Sequence, residues 1–391
     1  MKLAIVQEHV DSGRGGAETS TLEMARHLSD LGLEVTVVCA ASNSPGREPH
    51  TSFRFHRVPV GHGSRLRRTV RFVQAASRYC RMEAFDIVHA VTPCFAADVY
   101  QPRGGTYIET VARSIALRRS ALGRFARRLG RRFNRRQRFL LLLERSLLTD
   151  QPPPYVACVS EYVRRQVESA FAIPAERVRV VFNGVAWDDA TPEQAAEQRV
   201  AFRRKIDLAD DTPLVLFVAH NFKLKGLAEL LHAAAGGALR CHVAVAGRDD
   251  PTRYRRLAAR LDIRDRVAFV GTETPVEVLY RAADVLAHPT WYDPCSRVVL
   301  EALAAGLPVV TTRFNGAAEV MERGRHGVVI DSPVEIEALA RAICECLQPA
   351  LREACRADAD RLRPRISMAR HAAELRELYE IVLKTRHRAR D

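Results

Sequence analysis

The chain has 391 residues, 47% of them hydrophobic and 27% charged, a globular composition with enough length for two domains that each bury a core. No apolar run approaches the roughly 20 residues that a membrane-crossing helix requires. MKLAIVQEHV also lacks the apolar segment and small-residue cleavage site of a secretory leader, so a cytoplasmic protein is expected. The formal net charge of +14 is unevenly placed: between Thr110 and Leu143 there are eleven arginines and no acidic residue.

In chain order, Leu3–Val6 is a short apolar run that predicts a strand. It meets the glycine cluster Gly13-Arg14-Gly15-Gly16, and Leu22, Ala25, Leu28 and Leu31 then recur at helical spacing. Leu33–Val38 reads as a second strand, completing a βαβ unit. Such units build parallel sheets that bind ligands at the C-terminal strand ends. Asp86–Ala90 and Tyr155–Val159 read as further buried strands. Gly15 and Gly16 would let backbone N–H groups approach an anion at the helix start, although GRGGAE lacks the G-x-G-x-x-G spacing and a ligand-free tight turn fits it equally.

After Val178–Phe182 and Asn183-Gly184-Val185 the pattern restarts. Leu214–Ala219 opens a second series, continued by strands at Cys241–Ala246, Val267–Val270, Val285–Ala287 and Pro308–Thr311. Two doubly wound α/β domains joined near residue 185 follow, with a final helix from Ile366 to about Lys384. The first strand of the second series runs into HNFKLKGLAELL. There Lys223 and Lys225 could serve a diphosphate or be a solvated pair. The nine cysteines are odd in number and scattered, and the closest pair, Cys344 and Cys346, has no metal-type spacing. Free thiols in a reducing compartment are expected, with no metal site.

YDPCSRVVLE places Asp293 and Glu301 eight positions apart. Asp-Pro predicts a helix start with Asp293 as N-cap, a helix through Glu301 to about Ala305, and a stop at Gly306. On a helix the two acids would stand at most about 12 Å apart, too far to act on one atom but suited to two ends of one extended ligand. The N–H groups of Cys295 and Ser296 would then suit a phosphate. The alternative is structural: Asp293 only caps, and Glu301 pairs with Arg297 one turn earlier.

HPTWYDPCSRVVLEALAAGLPVVTT, Gly15-Gly16 and VVFNGV together resemble the retaining glycosyltransferases of family 4. The resemblance implies the GT-B fold: two Rossmann-like domains facing a central cleft, with a C-terminal helix crossing back to the first domain. It implies an acceptor domain at 1–185 with a basic insertion at about 110–143, a nucleotide-sugar domain at 186–365, and the returning helix at 366–391. By the same resemblance Asp293 holds the donor sugar and Glu301 the ribose. Lys225 and Gly16 lie at the donor phosphates, and Lys223 stands in for an arginine the family usually carries. Asp293 is one methylene shorter than the glutamate commoner there. Metal-independent transfer is implied, with no cofactor, and UDP-glucose is the implied donor.

The acceptor side is expected in the first domain. His89 and Asp98, in DIVHAVTPCFAADVY, are the candidates to meet an acceptor hydroxyl, and Asp98 resembles an acidic position of the lipopolysaccharide-core glucosyltransferases. An alternative alignment puts Gly104 where relatives carry an acid. In the arginine-rich segment, Phe125, Leu129 and Phe133 form an apolar stripe among Arg118, Arg119, Arg124, Arg127, Arg128, Arg131 and Arg132. A basic amphipathic helix of this kind lies on anionic membrane or binds nucleic acid. Resemblance favours the membrane, and with it a lipid-linked or phosphate-bearing glycan acceptor and no nucleic acid. The rival functions are a sugar-nucleotide epimerase, which needs a donor site and no acceptor, and a nucleic-acid-binding protein.

Overall fold

The computed structural model describes residues 1–10, 16–41, 52–117, 134–150, 152–187, 189–237 and 239–388. They form two compact units: Met1–Gly184 with Met368–Asp391, and Val185–Ser367. In the first unit the strands are β1 (Lys2–Val6), β2 (Glu34–Ala40), β3 (Arg54–Val58), β4 (Ile87–Ala90), β5 (Val99–Tyr100), β6 (Tyr155–Cys158) and β7 (Val178–Val180). They lie side by side in the order β3-β2-β1-β4-β5-β6-β7, every neighbouring pair parallel. Burial on both faces explains why these strands read as continuous apolar runs, such as the fully buried Leu3-Ala4-Ile5-Val6.

The second unit holds β8 (Leu214–Val218), β9 (His242–Ala246), β10 (Val267–Gly271), β11 (Val285–His288), β12 (Val309–Thr312) and β13 (Gly327–Ile330), ordered β10-β9-β8-β11-β12-β13 and all parallel. Both sheets reverse their winding beside their first strand, between β1 and β4 and between β8 and β11. A crevice opens at such a reversal because the connections leave to opposite faces there, and ligands of open α/β sheets bind in it.

Sequence periodicity locates most strands. It misses β3 and β13, which are sheet edges, and β5, which has two residues. β3 reads Arg-Phe-His-Arg-Val, with only Val58 buried. An edge strand wets one side, so its pattern fades towards that of a loop.

The C-terminal helix, Met368–Arg388, belongs to the first unit. Met368, Ala372, Leu375, Tyr379 and Val382 are buried at alternating spacings of four and three. They share a core with Met24, Ala25 and Leu28 of the helix Gly16–Asp30. The arginine-rich segment, with Arg118, Arg119, Arg124, Phe125, Arg127, Arg128, Leu129, Arg131, Arg132 and Phe133, lies outside the described residues, as does Gly15.

Candidate active site

At the reversal of the second sheet, the loops after β8, β11 and β12 converge. The loop after β8 carries the lysines. Asn221 Oδ1 accepts from the N–H of Leu224 at 3.0 Å, and the Asn221 carbonyl accepts from the N–H of Lys225 at 3.1 Å. This local turn delivers Lys225 to the loop after β11, where Nζ donates to Asp293 Oδ2 at 2.6 Å and to the Tyr292 carbonyl at 3.2 Å. Gly226 follows with φ +82°, and a Cβ there would stand 2.2 Å from the Pro289 carbonyl oxygen. Only glycine combines that backbone with so close an approach. Lys223 is partly buried on the same loop.

Asp293 is not the N-cap expected from the sequence. The helix begins at Arg297 and runs to Ala304, with Ser296 at the cap position and no capping bond from its side chain. Asp293 lies three residues before that cap because its backbone is bridged to the loop after β12. Its N–H donates to the Phe314 carbonyl at 2.9 Å, and its own carbonyl accepts from Gly316 at 3.0 Å. The helical estimate of the spacing to Glu301 therefore does not apply. The N–H of Ser296, expected for a phosphate, donates instead to Asn315 Oδ1 at 3.1 Å, and the same oxygen takes the N–H of Ala317 at 3.0 Å. Asn315 is fixed in turn by donating Nδ2 to Thr311 Oγ1 at 3.0 Å. Cys295 is buried beside it.

Burial alone would raise the Asp293 carboxyl. The adjacent Lys225 charge and contacts with His288 outweigh it, holding Asp293 ionised and well below the usual carboxylate range. Sequence reasoning passed over His288. It ends β11, is 1% exposed, and puts Nε2 3.6 Å from Asp293 Oδ2 and 3.4 Å from Ser296 Oγ. Burial first, and then the Lys225 charge, keep its ring neutral. A histidine in a strand reads as core, and its one sequence signal is its place at a strand's C-terminal end.

Glu301 takes the structural pairing and more. Oε1 pairs with Arg297 at 2.9 Å, and Oε2 accepts from the Tyr280 hydroxyl at 2.9 Å. Burial, followed by the Glu301 charge, raises Tyr280 far above the usual phenol range, so it stays a donor. A carboxylate has about four acceptor positions, so both oxygens keep capacity for a diol.

In the first unit, Gly16 opens the helix Gly16–Asp30. Asp98 and His89 are not where the sequence reading needed them. Asp98 directly precedes β5, accepts from the N–H of Val88 at 2.8 Å and pairs with Arg386 of the C-terminal helix. This is the N-terminal side of a parallel sheet, opposite the ligand-binding edge, and an acid beside a strand looks the same in sequence at either end. His89 is fully buried inside β4, with Nδ1 2.8 Å from the Tyr379 hydroxyl. The acid that does follow β1 is Glu8, which accepts from Thr69 Oγ1 at 2.7 Å and from Arg136 at 2.8 Å.

Comparison with known proteins agrees with this geometry. The model of the family "Glycosyltransferase Family 4" matches residues 14–188, and that of "Glycosyl transferases group 1" matches 198–361. Lipopolysaccharide glucosyltransferase WaaG of Escherichia coli K12 is 26% identical over 306 residues, covering 77% of this chain and 73% of that protein. A crystal structure of WaaG superposes with a TM-score of 0.79 at 24% identity, over 97% of this chain and 99% of that one. Anabaena HepE, solved in complex with UDP and glucose, superposes with a TM-score of 0.70 at 18% identity, over 97% and 99%. The chain is a glycosyltransferase of the GT-B fold and the family 4 type, related to the lipopolysaccharide glucosyltransferase WaaG.

Proposed function

We propose that this enzyme moves a hexose, glucose first among candidates, from a UDP-sugar to a lipid-linked or phosphate-bearing glycan, with retention of configuration and without a metal. The observation that carries the reading is the Lys225–Asp293 pair at the β8/β11 reversal, with Glu301 on the helix that follows. Opening that pair frees one cation and one carboxylate at the same point. Lys225 then meets the donor diphosphate and offsets the charge that grows as it leaves, which is where electrostatic stabilisation lowers the barrier most. Asp293 accepts from a sugar hydroxyl. Glu301, held by Arg297 and Tyr280, accepts from the ribose diol. UDP-glucose as donor is supported by HepE, whose structures hold UDP, glucose and UDP-glucose. A lipopolysaccharide-type acceptor is supported by WaaG, named for glucosyl transfer to lipopolysaccharide.

The test is a calorimetric screen against UDP-, GDP- and ADP-sugars. One donor should bind, and Glu301→Ala should weaken it roughly 10- to 100-fold, the worth of about 1.5–3 kcal/mol in hydrogen bonds to a charged group. Binding of none, or full affinity in Glu301→Ala, would count against the reading. The basic segment supports work at the inner face of the cytoplasmic membrane. Replacing Arg124, Arg127, Arg128 and Arg131 with glutamate should release the protein from anionic vesicles, and unchanged binding would remove that part.

A further inference from the structure

Resting on the donor reading, a second function follows for the buried histidine beneath the site. In the structure Lys225 and Asp293 satisfy each other at 2.6 Å. The donor needs both, Lys225 for its phosphates and Asp293 for its sugar, so the pair must open. Asp293, whose side chain is only 13% exposed, would then lose its cation in a site that still excludes water. A buried carboxylate left with a neutral hydroxyl and no countercharge is strongly destabilising.

His288 is the group placed to replace it. Its Nε2 stands 3.6 Å from Asp293 Oδ2, just beyond hydrogen-bond length, and Nδ1 has no hydrogen-bond partner among the described residues. The ring is stacked on Phe217 of β8, with centroids 6.4 Å apart, so it is held in place while under-satisfied. The charged groups acting on it are Lys225, from the loop after β8, and Asp293, from the loop after β11. Removing Lys225 withdraws the cation that opposes imidazolium and leaves the anion that favours it.

We infer that His288 is the positioning residue that takes up a proton when Lys225 leaves for the diphosphate, closing on Asp293 as its replacement cation. The proton comes from solvent and returns when the nucleotide departs and Lys225 re-forms its pair. The one bond that forms is the second ring N–H of His288, and the one that breaks is the solvent donor's bond to that proton. Donor binding and proton uptake are thereby linked.

Titration calorimetry with UDP-glucose at constant pH, in phosphate and in Tris, reads the linkage directly. Wild type should take up as much as about one proton per nucleotide bound, and its affinity should strengthen by up to about tenfold per unit fall in pH near neutrality. In His288→Gln the uptake should vanish and the affinity should become flat with pH. Wild-type binding without proton exchange, or the same uptake in His288→Gln, overturns the inference and leaves the donor reading standing. If wild type binds neither UDP-glucose nor UDP, the donor reading fails and the linkage with it. A ligand-free check uses histidine-labelled protein and nuclear magnetic resonance. In Lys225→Met the His288 ring should titrate at higher pH than in wild type, and an unchanged midpoint overturns the proposed replacement.

Discussion

At Gly226 a single missing Cβ lets the loop that carries Lys225 close onto the Pro289 carbonyl. Gly226→Ala would force a left-handed backbone on alanine, at roughly 1–2 kcal/mol, and would drive a methyl into the Pro289 carbonyl. Because Pro289 follows β11, that displacement passes to Asp293. We therefore expect lowered thermal stability and at least tenfold weaker donor binding, read by melting and calorimetry. Ordinary binding in a destabilised variant would show that the approach is structural only. Glu144 gives a residue-scale test of burial. It is fully buried and accepts from the Tyr100 hydroxyl and the Tyr107 N–H, each at 2.8 Å, and burial still pushes its carboxyl up to about 7. The folded protein therefore holds a proton that the unfolded chain releases near pH 4.5. Glu144 contributes stability below that value, lost as pH rises to about 7, with a slope of up to about 1.4 kcal/mol per pH unit. In Glu144→Gln that decline should disappear from melting curves. The sequence made Lys225, Asp293 and Glu301 legible because charges close to glycine turns and strand ends are conspicuous. It hid His288 and Tyr280, whose polar atoms act from positions that read as core.

At the scale of elements, local signals and tertiary bonds compete, and tertiary bonds win at the site. Asp293-Pro294 has the local chemistry of a helix start. Yet two backbone bonds to the loop after β12 hold Asp293 extended, and the helix waits until Arg297. No local pattern reports a bridge between residues 293 and 315. Where an element is positioned by one apolar face, the reading succeeds: the C-terminal helix was legible from periodicity alone. Leu375 is fully buried in the shared core of the first unit. Leu375→Ala should cost about 2–5 kcal/mol by lost burial and the cavity left behind. Denaturant unfolding should register this as a lower midpoint with an unchanged slope. A loss below about 0.5 kcal/mol, the range of surface substitutions, would show that the helix does not stabilise the unit.

For the whole molecule, the chain passes between the units at Gly184–Val185 and at Ser367–Met368. The first-unit side of both passages is tied to one buried guanidinium. Arg103 donates to Asn183 Oδ1 at 2.8 Å, to Gln101 Oε1 at 2.7 Å and to Ser20. It also faces His371 Nε2 at 3.2 Å, while His371 Nδ1 lies 2.8 Å from the Phe182 carbonyl. A carbonyl only accepts, so Nδ1 carries the proton and Nε2 must accept from Arg103. A second proton on His371 would set N–H against guanidinium. Burial first, and then Arg103, accordingly lower His371 far below the ordinary imidazole range, and the same two causes lower His89 to about 3. Both histidines stay neutral in the folded protein, whereas in the unfolded chain they gain protons near pH 6.5. Their contribution is therefore complete above that pH and is lost as pH falls. Glu144 has the opposite sign between about pH 4.5 and 7, one group against two. For these three groups together stability should then drop by roughly 1.4 kcal/mol per pH unit from about pH 6 to 5, a one-proton slope to which His220, His242 and His288, also lowered by burial, add in the same direction. His371→Gln, which keeps a donor and an acceptor, should remove one histidine's share and flatten the melting temperature against pH. If the acid limb of that variant stays as steep as in wild type, His371 is not the group whose protonation loosens the anchorage of the two passages.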